Sequence, residues 1–403
     1  MSSKPTVIVA GAGLGGLTAA LALLRKGIDV EVHEQAPALG EVGAGVQISS
    51  NGTAALFALG LEAPVRDHGV QVVDKEIRLW NTGQTWSLFK RDGSPASGRY
   101  PFPMFMLHRK DLHGMLVDAV RKLKPDAIHL GRKCTGFVQQ GARVRLDFDG
   151  APPAEGDILV GADGLHSRVR EQQFGRARAE FTGQVVWRGL VPMDRLTADQ
   201  RRLIGSNWVG PHAHVTCYPV QRGEMYNFVG QVDRTDWQIE SWVTEGSTSE
   251  CLADFAGWHE DVQRMIRSAP KLFKWALFLR DTLPQWSVNR VTLLGDAAHA
   301  TLPYLGQGAC MAMEDGIILA RCIAQWAGDP ELALQRYQSL RVERTRRIVE
   351  ASAAMTGTFH STEMADAAGA QRYVDAQWNG DKVRERYDWI YNYDPNTVPL
   401  QAS

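Results

Sequence analysis

The sequence predicts an α/β protein in which a parallel sheet carries an inserted lobe of mixed β-sheet and is followed by a helical C-terminal region. Three observations support this fold class. An apolar run, a glycine-rich turn, a helical stretch and a second β-branched run follow one another in residues 6–34. Two more short apolar runs, at 157–161 and 291–295, end in glycine, as is typical of buried parallel strands. Between them lie alternating segments that contain many of the tryptophans.

The first element is a strand at residues 6–10, followed by a turn and a helix over about residues 14–26. Gly27 suits the C-terminal end of this helix, because glycine readily adopts the left-handed conformation. Residues 28–34 alternate and predict a second strand, so the segment forms a βαβ unit with parallel pairing. Residues 6–24 carry no charge, but the four glycines within them disfavour a membrane-spanning helix.

The later elements follow the same two periodicities. Residues 110–123 predict a helix, and the chain is again helical from Gln307 to about residue 354. The predicted alternating strands are residues 143–148, 184–190, 213–220 and 225–232.

Composition excludes several classes of protein. Charged residues make up 22% and the formal net charge is −1, so no basic surplus indicates nucleic acid or anionic membrane as a partner. The five cysteines are scattered without a CxxC pair, which fits neither a disulfide framework nor a zinc site. We therefore expect a cytoplasmic protein, monomeric or homodimeric, with no metal and no transmembrane segment.

The glycine-rich turn contains GxGxxG at Gly11, Gly13 and Gly16. The first glycine permits the tight turn, the second lets the backbone approach a pyrophosphate, and the third lets the helix pack on its strand. The helix N-terminus adds free N–H groups and a partial positive charge. Glu34 ends the second strand, where a carboxylate can bind the hydroxyls of an adenosine ribose. This motif predicts a dinucleotide and leaves FAD and NAD as alternatives.

Two later motifs favour FAD. One is Asp163-Gly164, directly after the third apolar run, and the other is Gly295-Asp296, followed by Gly306 and Gly308. Asp296 closes a strand and can bind a ribityl hydroxyl, a group that FAD has and NAD lacks. The two later glycines let a loop and a helix start pass close beneath a flat ring.

In this order and spacing the three motifs resemble those of the single-component FAD-dependent aromatic hydroxylases, over nearly the whole chain. In its pattern of motifs and residue types, the sequence most resembles the salicylate, 3-hydroxybenzoate and 6-hydroxynicotinate monooxygenases. The resemblance implies noncovalent FAD, NADH or NADPH as transient co-substrate, and a role in aromatic catabolism. It implies hydroxylation of a phenolic or hydroxypyridine carboxylate with O2 through a flavin C4a-hydroperoxide.

The resemblance also implies a division of the chain. Residues 1–178 and 280–355 form a discontinuous, Rossmann-like FAD-binding domain. Residues 179–279 form a substrate-binding lobe, and residues 356–403 form a helical and aromatic extension.

Family positions complete the predicted cofactor site. Residues 41–47 resemble the segment beside the isoalloxazine ring, Arg109 resembles the family's arginine near the diphosphate, and residues 187–189 resemble the entry to the substrate lobe. The predicted cofactor-binding residues are Gly11, Gly13, Leu14, Gly15, Gly16, Glu34, Gln35, Gly45, Val46, Gln47, Arg109, Asp163, Asp296, Pro303, Gly306, Gly308 and Ala309.

The predicted catalytic residues are His214, Tyr218 and Tyr304. His212, His214, Thr216 and Tyr218 alternate along one predicted strand. In the 3-hydroxybenzoate and 6-hydroxynicotinate enzymes, a histidine and a tyrosine four residues later, just before proline, line the substrate pocket. We therefore expect His214 to be the base for a phenol and Tyr218 to fix the hydroxyl, with His212 as the competing base.

The segment Pro303-Tyr304 departs from both relatives' patterns. The 3-hydroxybenzoate type has glutamine before tyrosine, and the salicylate and hydroxynicotinate types have proline before histidine, so the substrate stays open. His299 lies within the FAD motif, and we interpret it as structural or next to the cofactor.

Three alternatives remain at this point. The first is another flavin chemistry on the same scaffold, although the WxWxIP motif of the related halogenases is missing from the sequence. The second is an NAD-dependent dehydrogenase, which the Gly295-Asp296 motif disfavours. The third is a binding protein that retains the fold without catalysis.

Overall fold

The computed structural model describes residues 4–40, 44–88, 98–176, 178–241 and 244–401. Its strands are β1 Val7–Ala10, β2 Val30–His33, β3 Gly45–Ile48, β4 Val70–Gln71, β5 Lys75–Leu79, β6 Thr85–Ser87, β7 Phe105–His108, β8 Ile128–His129, β9 Cys134–Gln140, β10 Arg143–Phe148, β11 Ala151–Gly156, β12 Ile158–Gly161, β13 Ala179–Pro192, β14 Gly205–Gly210, β15 Ala213–Val220, β16 Met225–Asp233, β17 Glu245–Gly246, β18 Leu272–Arg280 and β19 Val291–Leu293.

The α-helices occur in all three parts of the chain, namely the predicted FAD-binding domain, the lobe and the C-terminal region. They are α1 Leu14–Arg25, α2 Ser50–Ala58, α3 Glu62–His68, α4 Arg109–Leu123, α5 Arg168–Phe174, α6 Thr248–Asp254, α7 Glu260–Ser268, α8 Asp296–His299, α9 Gly308–Gln325, α10 Pro330–Phe359, α11 Ala367–Gln377 and α12 Gly380–Tyr391. None of these helices is long and apolar enough to cross a membrane.

The predicted parallel sheet is confirmed. Its five strands have the order β19-β12-β1-β2-β8, and every neighbouring pair is parallel. The central strand β1 is completely buried, because α1 and its neighbours cover the sheet from both sides. The carboxyl ends of β1, β12 and β19 lead directly into the three glycine-containing motifs.

The predicted mixed-sheet lobe is also confirmed. Its eight strands have the order β17-β18-β13-β16-β15-β14-β5-β6, and only the β14–β5 pair is parallel. Strands β5 and β6 come from residues 75–87, which the predicted division assigns to the other domain. The boundary at residue 355 falls inside α10. The domain limits remain a prediction, and we propose that β5 and β6 belong with the substrate lobe.

The two faces of this sheet pack against different parts of the protein. On β15, Val215 and Cys217 face an apolar core that also contains Phe255 and Ile266, next to α6 and within α7. Tyr218 and Val220, on the opposite face, share a core with side chains of the C-terminal helices. The second face therefore lies between the lobe and the rest of the protein, where a substrate pocket belongs.

A buried ionic cluster joins α9 to α10. Glu314 and Asp315 are fully buried, and Arg341 reaches both carboxylates at 2.7 Å. His299 Nε2 lies 2.6 Å from Asp315 Oδ2, which also accepts a hydrogen bond from the backbone N–H of Gly295 at 3.1 Å. Burial alone would raise the pKa of Asp315, but His299 and Arg341 hold it below its ordinary value.

Hydrogen bonds through Asn51 connect this cluster to Gln307, in the loop before α9. Asn51 Nδ2 donates to Glu314 Oε1 at 2.6 Å and to Gln307 Oε1 at 2.9 Å, and Gln307 Nε2 donates to Ser49 Oγ at 2.7 Å. The cluster thus ties Gly295, the start of one predicted cofactor motif, to Gln307 in the glycine-rich loop that follows.

We predict that Arg341→Met lowers the free energy of unfolding by about 3–5 kcal/mol, because it leaves buried Asp315 without an arginine partner and Glu314 with Arg344 alone. Urea denaturation measures this loss. The matched control is Arg346→Met on the same helix, whose exposed ion pairs with Glu343 and Glu350 are screened by solvent, so its stability should hardly change. Equal effects of the two substitutions would contradict the prediction.

Candidate active site

The glycine-rich turn is shaped first by the protein's own packing. Gly11 has a φ of +105°, and a Cβ there would collide with the carbonyl oxygen of Ala162 at the end of β12. A Cβ on Gly16 would collide with the carbonyl oxygen of Gly11, and one on Gly15 would lie 2.6 Å from Leu294 Cδ2. Gly11 and Gly16 therefore require glycine whether or not a ligand is present, whereas a Cβ on Gly15 would displace the end of the Leu294 side chain.

Gly13 is different. Its φ is −72°, and no described atom lies within 4 Å of the position that a Cβ would occupy. Within the described residues no side chain caps α1, and its first turn carries no acidic side chain. An open approach, free N–H donors and the positive end of the helix dipole fit the diphosphate of FAD.

Glu34 is held against the outside of this turn. Its Oε2 accepts from the backbone N–H of Ala12 at 2.9 Å, and its Oε1 accepts from that of Ala36 at 2.9 Å. His113 Nε2 lies 2.8 Å from the carbonyl oxygen of Ala12 and fixes the turn from the other side. Each carboxylate oxygen can accept a further hydrogen bond, so Glu34 is oriented for a ribose beside the exposed Gln35.

The other predicted diphosphate and ribityl residues each lie shortly after the end of a strand. The Cα of Asp163 lies 3.1 Å from the Cβ position of Gly11, while its carboxylate accepts from the backbone N–H groups of Arg168 at 2.7 Å and Val169 at 3.2 Å. Burial raises the pKa of Asp163. Arg109 and Asp296 are exposed at the first positions of α4 and α8.

The predicted isoalloxazine segments face each other. Pro303–Leu305 forms a 3-10 turn, Gly306 follows with a φ of +63°, and α9 begins at Gly308 and continues through Ala309. The Cβ of Gln47, two residues after Gly45 and next to Val46, is 3.8 Å from the Cβ position of Gly306. Predicted residues 41–43 lie outside the described residues. A narrow pocket separates the two segments, lined by Gln47, Lys75, Met104, Phe105, Leu305 and Gln307.

Lys75 is a feature of this pocket that the sequence analysis missed. Its Nζ donates to Gln47 Oε1, and burial lowers the pKa of the ammonium group to about 8. A lysine that starts a strand is usually solvent-exposed, so no local signal distinguishes Lys75.

Four buried polar side chains form one wall of the substrate lobe. His214 lies opposite Gln231 and Tyr218 opposite Asn227, so all four share one face of β15 and β16. Asn227 Oδ1 accepts from the backbone N–H of Gly45 at 2.9 Å, so this wall touches the predicted flavin segment. Among the described residues, Asn227 Nδ2 and Gln231 Oε1 have no hydrogen-bond partner. Each of these two atoms is available to hydrogen-bond a ligand.

His214 belongs to a chain of hydrogen-bonding side chains. Its Nδ1 is 2.7 Å from His360 Nε2, and His360 Nδ1 is 2.7 Å from Asp233 Oδ1. Burial, with a smaller effect of His360, holds the pKa of His214 well below its ordinary value, so its imidazole is neutral. The ring of Tyr304 lies beside that of His214, with centroids 5.4 Å apart. Its hydroxyl group donates a hydrogen bond to Gln184 Oε1.

His212 does not lie on this wall, in contrast to its predicted place on the strand. It has a φ of +60° in the turn between β14 and β15, and its side chain is 67% exposed. The strand begins one residue later because this turn closes the hairpin, so the alternation does not extend back to His212. Its Nδ1 pairs instead with Asp233 Oδ2 at 3.3 Å.

Comparison with known proteins identifies a protein family, named relatives and solved structures that resemble most of this chain. The model of the FAD binding domain family matches residues 4–352. A 3-amino-4-hydroxybenzoate 2-monooxygenase of Streptomyces platensis is 35% identical over 397 residues, 98% of each protein. A 3-hydroxybenzoate 6-hydroxylase of Polaromonas naphthalenivorans is 38% identical over 405 residues, again 98% of each. Klebsiella pneumoniae HpxO, solved with FAD and uric acid, matches with a TM-score of 0.78 and 27% identity, covering 97% of this chain and 96% of that one.

We predict that Gly13→Ala and Gly16→Ala separate cofactor binding from folding. Gly13→Ala should leave the Tm of the FAD-free protein unchanged and weaken FAD about tenfold or more, roughly 1.4 kcal/mol, because the methyl group blocks the diphosphate. Gly16→Ala should lower the Tm itself, because its methyl group meets backbone. Unchanged FAD affinity in Gly13→Ala, measured by flavin fluorescence, would contradict this assignment.

A second prediction concerns Lys75 and pH. Its folded-state pKa of about 8 is below the ordinary 10.5, so the ammonium destabilises the folded protein below pH 8, and this cost disappears as the pH rises to 10.5. Lys75→Met should therefore raise the free energy of unfolding at pH 7 by about 1–3 kcal/mol, with little gain near pH 10.5. Urea titrations at both pH values measure it, with the exposed Lys271→Met as control. A gain that does not depend on pH would refute the explanation.

Proposed function

Because this chain belongs to the FAD binding domain family, we propose that it is an FAD-dependent monooxygenase that hydroxylates a small phenolic carboxylate. The observation that carries the proposal is a buried, neutral imidazole, His214, on the wall that touches the predicted flavin segment through Asn227 and Gly45. We place the reaction in the cytoplasm, since five free thiols suit a reducing compartment.

The names of the relatives support this choice of substrate class. Both monooxygenases are named for benzoates that carry a phenolic hydroxyl group. When bound, FAD would supply the redox and oxygen-transfer chemistry of a reaction that consumes NAD(P)H and O2. FAD would be held by the turn at Gly11–Gly16, by Glu34 and by the loop at Gly306–Ala309.

His214 is proposed as the general base. Its Nδ1 is occupied by His360, which leaves Nε2 as the nitrogen that can accept the phenolic proton. Withdrawing this proton makes the ring more nucleophilic, and an imidazole with a depressed pKa stays in its basic form at neutral pH.

The two tyrosines are proposed as neutral hydrogen-bonding groups. Burial raises the pKa of Tyr218, and it raises that of Tyr304 to about 12. Tyr218 therefore keeps its proton and can donate to the substrate hydroxyl. The hydroxyl of Tyr304 is already directed to Gln184, so this ring shapes the pocket beside His214.

The direct test is NAD(P)H consumption in air with a panel of substrates and identification of the products. The panel includes 3-amino-4-hydroxybenzoate, 3-hydroxybenzoate, salicylate and 6-hydroxynicotinate. We expect a yellow protein that releases FAD on denaturation and converts at least one of these compounds to a hydroxylated product. A flavin-free protein, or NAD(P)H oxidation without any hydroxylated product across the panel, would refute the proposal.

We predict that His214→Ala lowers the rate of hydroxylation about 10²–10⁴-fold, because the phenol is no longer deprotonated, while FAD stays bound. NAD(P)H oxidation should continue and produce hydrogen peroxide. Tyr218→Phe should have a milder effect, mainly on substrate binding and on the ratio of product to NAD(P)H, since the ring still fills its place.

The control is His212→Asn, because asparagine tolerates the positive φ and the residue is exposed. Coupled product formation, flavin content and peroxide are measured together. If His212→Asn loses hydroxylation and His214→Ala keeps it, the assignment of the base is wrong.

A further inference from the structure

A continuous row of titratable side chains leads from the buried wall to the surface. His214 is 1% exposed and His360 is 7% exposed. The carboxylate of Asp233 is 37% exposed and also contacts the exposed His212. The two inner contacts, His214 to His360 and His360 to Asp233, are both 2.7 Å long.

The carboxylate at the outer end determines the position of every proton in this row. Burial would raise the pKa of Asp233, but hydrogen bonds from His360, Gln184 and His212 hold it below its ordinary value, so the group is ionised. An ionised carboxylate can only accept, so His360 Nδ1 carries a proton and donates it to Asp233. In the neutral form of His360, Nε2 is then the acceptor for Nδ1–H of His214. The lone pair of His214 is left on Nε2, the atom needed for a base.

We propose that His360 and Asp233 form a proton relay that carries the phenolic proton from His214 to solvent. This inference rests on the proposed function, because it takes His214 as the base. His360 and Asp233 do not touch the substrate in this scheme and act as positioning residues.

Each transfer in the relay balances. The substrate O–H bond breaks and an N–H bond forms at His214 Nε2. The Nδ1–H of His214 breaks as a proton joins His360 Nε2, and the Nδ1–H of His360 breaks as a proton joins Asp233 or the water beside it. The substrate becomes a phenolate, both imidazoles end neutral, and one proton reaches the surface.

The surroundings of the row favour transfer along it. Phe359 stacks on His214 with ring centroids 4.8 Å apart, and it covers the imidazole with apolar surface. Gln184 Nε2 donates to Asp233 Oδ1 at 3.0 Å and holds the carboxylate in place. Among the described residues, the titratable groups that face the row from neighbouring elements are His212, in the turn before β15, and Tyr304, in the turn before α9.

The test uses the FAD-loaded enzyme and 4-hydroxy-3-nitrobenzoate, a phenol whose ionised form absorbs visible light. The probe and enzyme are mixed at a pH at which the free probe is un-ionised. Stopped-flow absorbance follows ionisation of the bound probe, and a pH indicator follows the appearance of the proton in solution. His360→Gln keeps an acceptor for His214 Nδ1–H but cannot pass a proton on. It should slow proton release about tenfold or more, with the Kd of the probe nearly unchanged.

Asp233→Asn should slow proton release in the same way, because an amide accepts the hydrogen bond of His360 but not its proton. This partly exposed position also gives a second readout should His360→Gln fail to fold. The matched control is His212→Asn, which contacts the same carboxylate from the solvent side and should release the proton at nearly the wild-type rate.

The outcomes separate this proposal from the proposed function. If His214→Asn no longer ionises the probe but His360→Gln and Asp233→Asn release the proton at the wild-type rate, the relay is refuted and the base stands. If His214→Asn ionises the probe normally, both the base and the relay are refuted. Slow proton release in His360→Gln and Asp233→Asn, together with release at nearly the wild-type rate in His212→Asn, supports the relay.

Discussion

Glu314 and Asp315 stand next to each other in α9 without solvent exposure, and the arrangement of the cofactor site depends on how their charges are neutralised. Two adjacent buried carboxylates are tolerated only with a cation and a full set of hydrogen bonds. Arg341 and Arg344 supply the cations from α10. Further hydrogen bonds come from Gly295 and His299, in one motif expected to surround FAD, and from Asn51, which also binds Gln307 in the glycine-rich loop that follows. The position of those segments is therefore set by charge neutralisation in the core.

Local signals in the sequence predicted most of the fold. Strands β10 and β15 have the predicted bounds, 143–148 and 213–220, because their alternation is unbroken. The joining of β5 to β14 could not be predicted, because the register between two strands about 130 residues apart leaves no local pattern. His212 shows the limit of periodicity, since the hairpin turn ends the alternation one residue before Ala213.

The site was predictable where backbone geometry defines it and less so where side chains from distant segments meet. The glycine turn could be found because its spacing is short and fixed. His360 lies beyond α10, 146 residues from its partner His214, and neither composition nor spacing relates the two. Lys75 and Gln184 were missed for the same reason, because each gains its role from a residue on another element.

Helix α10 is a single piece of 30 residues, about 45 Å long at 1.5 Å per residue. Arg341 anchors its first half to the cofactor domain, and Phe359 and His360 lie at its other end against His214. About 27 Å of helix separates the two places, so a tilt of only about 2° would displace the imidazole of His360 by about 1 Å. A gap of that size breaks a hydrogen bond of 2.7 Å. The alignment of His360 with His214 therefore depends on the orientation of the whole helix and not only on the residues around the pocket.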